Sequence, residues 1–225
     1  MSIQLPDATH RRSFLGRIAA SAGALIVGRW STASAEVAPP TGSGVAADEW
    51  VSRIRGTYKQ VFDVTGPSNT TAISFVLNFI DGVKESTKAP DSDITAVVVF
   101  RYFATAMIFN DAVWAKYKLG ELLEVTDPKT GKPATRNIAH ADIRGRPGLT
   151  YEKLAATAPV IVVACNHALQ VISGWAAGKA GVNPEEAKQD FIAGVIPGVY
   201  LVSTGVYAVN RAQQAGCTYC GTSLV

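Results

Sequence analysis

A three-layer α/β/α sandwich around a mainly parallel central sheet is the fold class this sequence predicts, and three observations predict it. Two apolar runs of strand length, Ala96-Val97-Val98-Val99-Phe100 and Pro159-Val160-Ile161-Val162-Val163-Ala164, are continuous instead of alternating. Strands buried on both faces by helices read that way. Strand-like and helix-like segments alternate about four times along the chain, the signature of an α/β domain. About 190 of the 225 residues carry this alternation, the size of one domain with a sizeable core.

The first 35 residues stand outside the alternation. His10-Arg11-Arg12-Ser13-Phe14-Leu15-Gly16 precedes an apolar run from Ile18 to Val27 and a small-residue exit, Ala33-Ser34-Ala35. A positive start, a short apolar core and an A-x-A end form a secretory signal peptide. The paired arginines followed by Phe-Leu resemble the twin-arginine (Tat) signal, which exports folded proteins. Residues 1–35 are therefore expected to be cleaved, with the mature chain starting near Glu36 in the periplasm. The apolar run is broken by Ser21 and Gly23 and flanked by Arg17 and Arg29. It falls short of the roughly 20 apolar residues a spanning helix needs, so no membrane span is expected after cleavage.

Export also changes the charge. The whole chain has 21 Lys and Arg against 18 Asp and Glu; setting aside Arg11, Arg12, Arg17, Arg29 and Asp7 leaves 17 of each. A neutral mature chain without a basic run interleaved with aromatics argues against nucleic-acid partners. Residues 36–48, with Pro39-Pro40-Thr41-Gly42-Ser43-Gly44, read as a flexible leader, and residues 49–225 as a single α/β domain.

Within that domain, Tyr58 to Asp63 reads as a short strand broken by Gly66-Pro67. Asn69 or Thr70 then caps a helix to about Lys88, with Ile73, Val76, Leu77 and Ile80 at helical spacing. Ile94 to Phe100 is the first buried strand. A helix from Ala104 to about Leu122 follows, and Trp114 and Tyr117 on it are packing or subunit-contact residues. Residues 126–148 hold Asp127-Pro128, Gly131, Lys132-Pro133 and Arg146-Pro147-Gly148 without a clear period, which predicts a long loop. Tyr151 to about Thr157 makes a short helix. The strand Pro159–Ala164 runs into Cys165-Asn166-His167 and a helix to about Ala177. Asn183-Pro184-Glu185-Glu186 reads as an N-cap, a first-turn proline and acids favoured by the helix dipole. Val199 to Thr204 is the last predicted strand, followed by a helix from Gly205 to Gln214 and a tail, Gly216 to Gly221.

Three cysteines, Cys165, Cys217 and Cys220, all lie in the mature part. An odd number in an exported protein leaves at least one thiol to explain. Cys165 stands where a buried strand gives way to a helix, and ligands of open parallel sheets bind beyond the carboxyl ends of the strands. Free N–H groups and the positive end of the helix dipole favour thiolate there. The opposing expectation is a small buried filler, since free cysteine is among the most buried residue types. Asp63, Arg101, Asn110, Asp111 and Asn137 fall near strand ends or in the long loop, where they would line a cleft beside Cys165 or act as caps and anchors.

Cys217-Thr218-Tyr219-Cys220 has the spacing of a dithiol site or half a zinc site. It follows a helix instead of opening one, and Gly221 stands where haem attachment needs histidine. A local disulfide formed on export, or a loose tail, is the plainer expectation. Two further arrangements are open: a resolving pair between Cys165 and Cys217 or Cys220, and a metal site drawn from Cys165, His167, His140, Cys217 and Cys220, whose ligand types suit zinc or copper. No Gly-x-Ser-x-Gly elbow, Walker loop or His-Glu-x-x-His is present. No cofactor is implied.

The segments Tyr58 to Asp63, Asn110-Asp111-Ala112-Val113-Trp114-Ala115-Lys116-Tyr117-Lys118-Leu119-Gly120-Glu121 and Val162-Val163-Ala164-Cys165-Asn166-His167-Ala168-Leu169, in this order of elements, resemble exported relatives of the DsrE/DsrF-like family. The resemblance covers about residues 50–215 by pattern. It implies a DsrEFH-type α/β fold assembled as trimers or hexamers and, for sulfur-relay members, a cysteine after a central strand that carries persulfide sulfur. Cys165 matches that position. Relay members are cytoplasmic and work with partner subunits, whereas this chain carries an export signal. The resulting expectation is an exported homo-oligomer with a thiol or persulfide site at Cys165, lined by Asn166, His167, Asn137 and Asp63, exchanging sulfur with a donor or acceptor. The alternative is a non-catalytic periplasmic module of the same fold that holds a small ligand or metal.

Overall fold

The computed structural model describes residues 48–67, 71–140 and 150–222. The expected signal and leader, residues 1–48, fall outside it except for Asp48, as do the proposed cap residues Asn69 and Thr70. Five strands form one sheet in the order β4-β3-β2-β1-β5: β1 (Tyr58–Val64), β2 (Ile94–Phe100), β3 (Val160–Cys165), β4 (Val199–Val202) and β5 (Thr218–Gly221). Every neighbouring pair is parallel. The expected three-layer architecture is thus the observed one.

The helices are α1 (Glu49–Ser52), α2 (Thr71–Thr87), α3 (Asp111–Lys116), α4 (Leu119–Leu122), α5 (Tyr151–Ala155), α6 (Asn166–Ala180), α7 (Pro184–Ala193) and α8 (Gly205–Gln214). Side-chain alternation sorts the strands between two apolar layers. Phe62, Val64, Ala96, Val98, Phe100, Val162 and Ala164 join the core under α2, α5, α6 and α7. Val61, Val97, Val99, Ile161 and Val163 face the other way, packing with Trp50 of α1 and with Ala208 and Ala212 of α8. All seven residues of β2 are buried, which explains its unbroken apolar run.

Steps from β1 through β4 move across the sheet in one direction, with their helices on one face. After β4 the chain crosses the opposite face through α8 and returns to pair β5 with the far side of β1. No helix among the described residues is long and apolar enough to cross a membrane.

Two expectations are corrected. Ala104 to Leu122 is not one helix: a 3-10 segment, Tyr102–Ile108, leads to an extended Phe109 and Asn110. Ala104 to Phe109 are all buried, so this stretch has no polar face to present as an amphipathic helix. Asn110 instead caps α3, its side chain accepting from the Val113 N–H at 3.0 Å, and a left-handed Lys118 separates α3 from α4. The second correction is the tail, which is neither loose nor a loop. It is β5, registered with Gln60 to Asp63 of β1.

Gly120 in α4 lies against the loop strand that returns from the turn at Asp127. A Cβ there would sit 2.2 Å from the Ala134 carbonyl oxygen and 2.3 Å from its nitrogen, both rigid backbone atoms. Gly120→Ala should therefore destabilise the fold by about 1–3 kcal/mol. Urea denaturation tests this; an unchanged midpoint contradicts the close approach.

Candidate functional site

Extended backbone carries the sheet pattern one residue beyond β2. Phe100 pairs with Ala164, so the next positions, Arg101 and Cys165, stand side by side on adjacent strands. Arg101 has φ −136° and ψ 167°, and Cys165 has φ −81° and ψ 110°. Alternation puts both on the α8 side, as it does Asp63 two residues after Val61. One face of the carboxyl edge therefore carries a carboxylate on β1, a guanidinium after β2 and a thiol ending β3.

Asp63 is the anchor of this row. Its carboxylate accepts from Arg101 Nε at 2.7 Å and Nη2 at 2.8 Å, and from the Tyr219 hydroxyl at 2.8 Å. Its carbonyl accepts from the N–H and hydroxyl of Thr222 at 3.1 and 2.9 Å. The Asp63 side chain is 5% exposed and that of Arg101 30%. Asp63 chiefly holds the Arg101 guanidinium above its ordinary range, through the hydrogen bonds first; Tyr219 and Cys165 add to this while desolvation opposes it. The same carboxylate, with burial, pushes the Tyr219 hydroxyl up.

Cys165 is the N-cap of α6, its sulfur accepting from the Ala168 N–H at 3.3 Å. The residue is 6% exposed. Next to it, the Asn166 Oδ1 is buried without a hydrogen-bond partner. His167 is exposed, and its backbone N–H donates to the Ser203 carbonyl at 3.2 Å, stitching the exits of β3 and β4 together. Those exits diverge: α6 packs on one layer and α8 on the other. Diverging connections at adjacent strand ends mark the ligand position of open parallel sheets. Gly205, the first residue of α8, lies on Arg101, where a Cβ would meet the Arg101 Cβ at 2.4 Å.

The other expected site residues lie elsewhere in the chemistry. Asn137 is fully buried, and its amide donates to the carbonyls of Met107 and Phe109, both at 2.8 Å, while its Oδ1 accepts from the Ala139 N–H at 3.0 Å. Asp111 accepts from the Asn137 N–H at 2.9 Å. Asp111 and Asn137 therefore pin the loop to α3 and the 3-10 segment while Asn110 caps α3, and Asn137 is taken up by backbone instead of lining a cleft at Cys165. His140 closes a short 3-10 turn, Ile138–His140, and its side chain falls outside the described part of the structure.

The cysteines do not converge. All three are free thiols. Cys217 packs in the α8 layer and Cys220 against the other, so the two are on opposite sides of the sheet. β2 and β1 lie between β3 and β5. Three strand spacings place Cys165 about 14 Å from the Cys-x-x-Cys segment, against a reach of about 7 Å between Cα atoms for a disulfide. The resolving pair is thus overturned by strand order. Among the described residues no three His, Cys, Asp or Glu side chains group to hold a metal ion. Burial pushes the Cys217 thiol up to about 11, against a weaker pull from Lys59.

Tyr219 is the participant that sequence reasoning missed, because it appeared only as a spacer between two cysteines. A cavity of about 180 Å³ elsewhere is lined by Asn110, Val113, Lys116, Tyr117 and Asp190. There the Asp190 carboxylate accepts from Lys116 and Tyr117, both at 2.6 Å, and the lining holds no cysteine. No family model, curated protein or solved structure matches this chain.

Two outcomes follow from this geometry. Arg101→Met strands a buried carboxylate and should cost on the order of 3 kcal/mol. Asp63→Asn should cost less, because the guanidinium it releases already reaches water; equal losses in urea denaturation would contradict the asymmetry. Cys217, whose thiol is raised, contributes stability that is present below the unfolded thiol value of about 8.5 and lost as pH rises through about 11. Native protein at pH 8 should leave Cys217 unmodified by iodoacetamide, as peptide mass mapping would read.

Proposed function

We propose that this chain is an exported, DsrE-like thiol protein in which Cys165 accepts and hands on sulfane sulfur as a persulfide. The residue resemblance around Cys165 and the twin-arginine segment motivate this reading. One observation carries it: a thiol that caps a 15-residue helix at the carboxyl end of a central strand, one position from a fixed guanidinium and out of reach of the other two cysteines. A buried filler cysteine needs only apolar neighbours. This one has a backbone N–H donor and a neighbouring cation.

The isolation of Cys165 also selects the chemistry. A dithiol oxidoreductase needs a second thiol to resolve its mixed disulfide, and none is within reach. A single thiol suffices for sulfur transfer. The Cys165 thiolate attacks the outer sulfur of a donor persulfide, forming the new S–S bond while the donor S–S bond breaks and the donor leaves as thiolate. A second such exchange passes the sulfur to an acceptor thiol. In the proposed setting the protein works in the periplasm as a homo-oligomer, with a donor or acceptor as its partner.

One observation favours a second reading, a non-catalytic small-ligand module of the same fold. The buried, unpartnered Asn166 Oδ1 beside the thiol is an acceptor that a bound donor group would satisfy.

Exposure of the native protein to thiosulfate or an organic persulfide should add increments of about 32 daltons, the mass of sulfur transferred by exchange, in intact-mass spectra. Cys165→Ser should abolish them and Cys217→Ser should not. A wild-type Cys165 that gains no sulfur from either donor overturns the carrier reading.

A further inference from the structure

The carrier reading leaves the donor unnamed, and the next step rests on that reading. Asp63 engages Arg101 through Nε and Nη2 alone. The Nη1 donors have no hydrogen-bond partner among the described residues, on a side chain that is 30% exposed. Strand order puts Arg101 between Cys165 and Asp63, so the cation is one strand from the sulfur and its neutralising carboxylate two. Asp63, itself held by the Tyr219 hydroxyl, fixes the guanidinium on its Nε and Nη2 side, and Gly205 covers its stem. The forward edge of the fork is what remains for a ligand.

We propose that Arg101 recognises the negative charge of a small sulfane-sulfur donor and holds it against Cys165 through the free Nη1 donors. Planar, multi-donor recognition of oxyanions is what a guanidinium does best. Small size follows from access: Cys165 is 6% exposed and the exits of β3 and β4 are tied together beside it. A protein-borne persulfide would have to bring its own backbone into that edge, whereas thiosulfate or a low-molecular-weight persulfide anion would not.

With thiosulfate, the Cys165 thiolate forms a bond to the outer sulfur, the thiosulfate S–S bond breaks and sulfite leaves with the electron pair. With a small persulfide anion the leaving group is its thiolate. Neither exchange consumes an oxidant or needs a proton. Asp63 acts as a positioning residue through its bonds to the guanidinium, and Tyr219 acts through its bond to Asp63.

Iodoacetate and iodoacetamide, alike in size and leaving group but differing in charge, test the recognition directly on native full-length protein. The iodoacetate-to-iodoacetamide rate ratio at Cys165 should exceed that of the urea-unfolded chain by about tenfold or more. In Arg101→Gln combined with Asp63→Asn, which removes both charges together, it should return to the unfolded value. Raising salt from about 0.05 to 0.5 M should slow iodoacetate and leave iodoacetamide unchanged, a measurement that needs no variant. A ratio equal to that of the unfolded chain, or one insensitive to salt, overturns the anion site.

Sulfur loading separates this inference from the carrier reading. An iodoacetate preference without sulfur uptake from either donor sinks the carrier and leaves the anion site standing. Equal loading rates in wild type and the double variant sink the anion site and leave the carrier. Released sulfite against released thiol tells which donor class loads faster.

Discussion

A carboxylate as deeply buried as Asp63 requires its charge to be answered, and the way it is answered organises the whole carboxyl edge of the sheet. Its two oxygens take three hydrogen bonds from Arg101 and Tyr219, and its carbonyl takes two more from Thr222. Those partners come from the residue after β2, from β5 and from the chain just beyond β5. One side chain thus ties the first strand to its neighbour on each side. The pair is not there for stability alone: a buried ion pair often does no better than an apolar replacement of the same volume. What the ion pair supplies is orientation, because a fork held at two nitrogens cannot swing.

That orientation matters because of what the alternation of β-structure brings to the same face. Asp63, Arg101 and Cys165 are far apart in sequence and belong to different crossover units, yet the parallel register sets Arg101 level with Cys165 and puts Asp63 on the same face one side-chain step back. The reversal of chain direction after β4 then brings Gly205 and the start of α8 over Arg101. A residue larger than glycine at that point would displace the guanidinium stem. The fold and the site are therefore joined through backbone approach as well as through charge.

How legible this was in the sequence depends on which physical signal each part leaves. β2 and β3 were readable because burial on both faces writes a continuous apolar run. Asn183-Pro184 was readable because a cap and a first-turn proline are local chemistry, and Asn183 does accept from the N–H groups of Glu185 and Glu186. Ala104 to Phe109 misled because total burial in a 3-10 segment leaves the same apolar density as a helix. β5 was invisible as a strand because an edge strand with exposed Thr218 and Tyr219 has no apolar run to show. Asn137 looked like a cleft residue because a polar side chain in a long loop carries no mark of whether it faces solvent or pins backbone. The Asp63–Arg101–Tyr219 contact depends on register between strands distant in sequence, which composition and spacing do not encode.

The placement of the Cys-x-x-Cys segment shows how such a motif changes meaning with secondary structure. At a helix start, residues three apart lie on one face and two thiols meet. Entering a strand, an odd separation sends them to opposite faces, and here Cys217 goes to the α8 layer while Cys220 packs against the other. The segment is better understood through the residue between them: Tyr219, 52% exposed, still reaches Asp63 with its hydroxyl. The last strand thus contributes a phenol to the row and not a dithiol. Cys165 is left as a single thiol beside a braced cation, a combination suited to exchange with an anionic electrophile and unsuited to closing a disulfide within the chain.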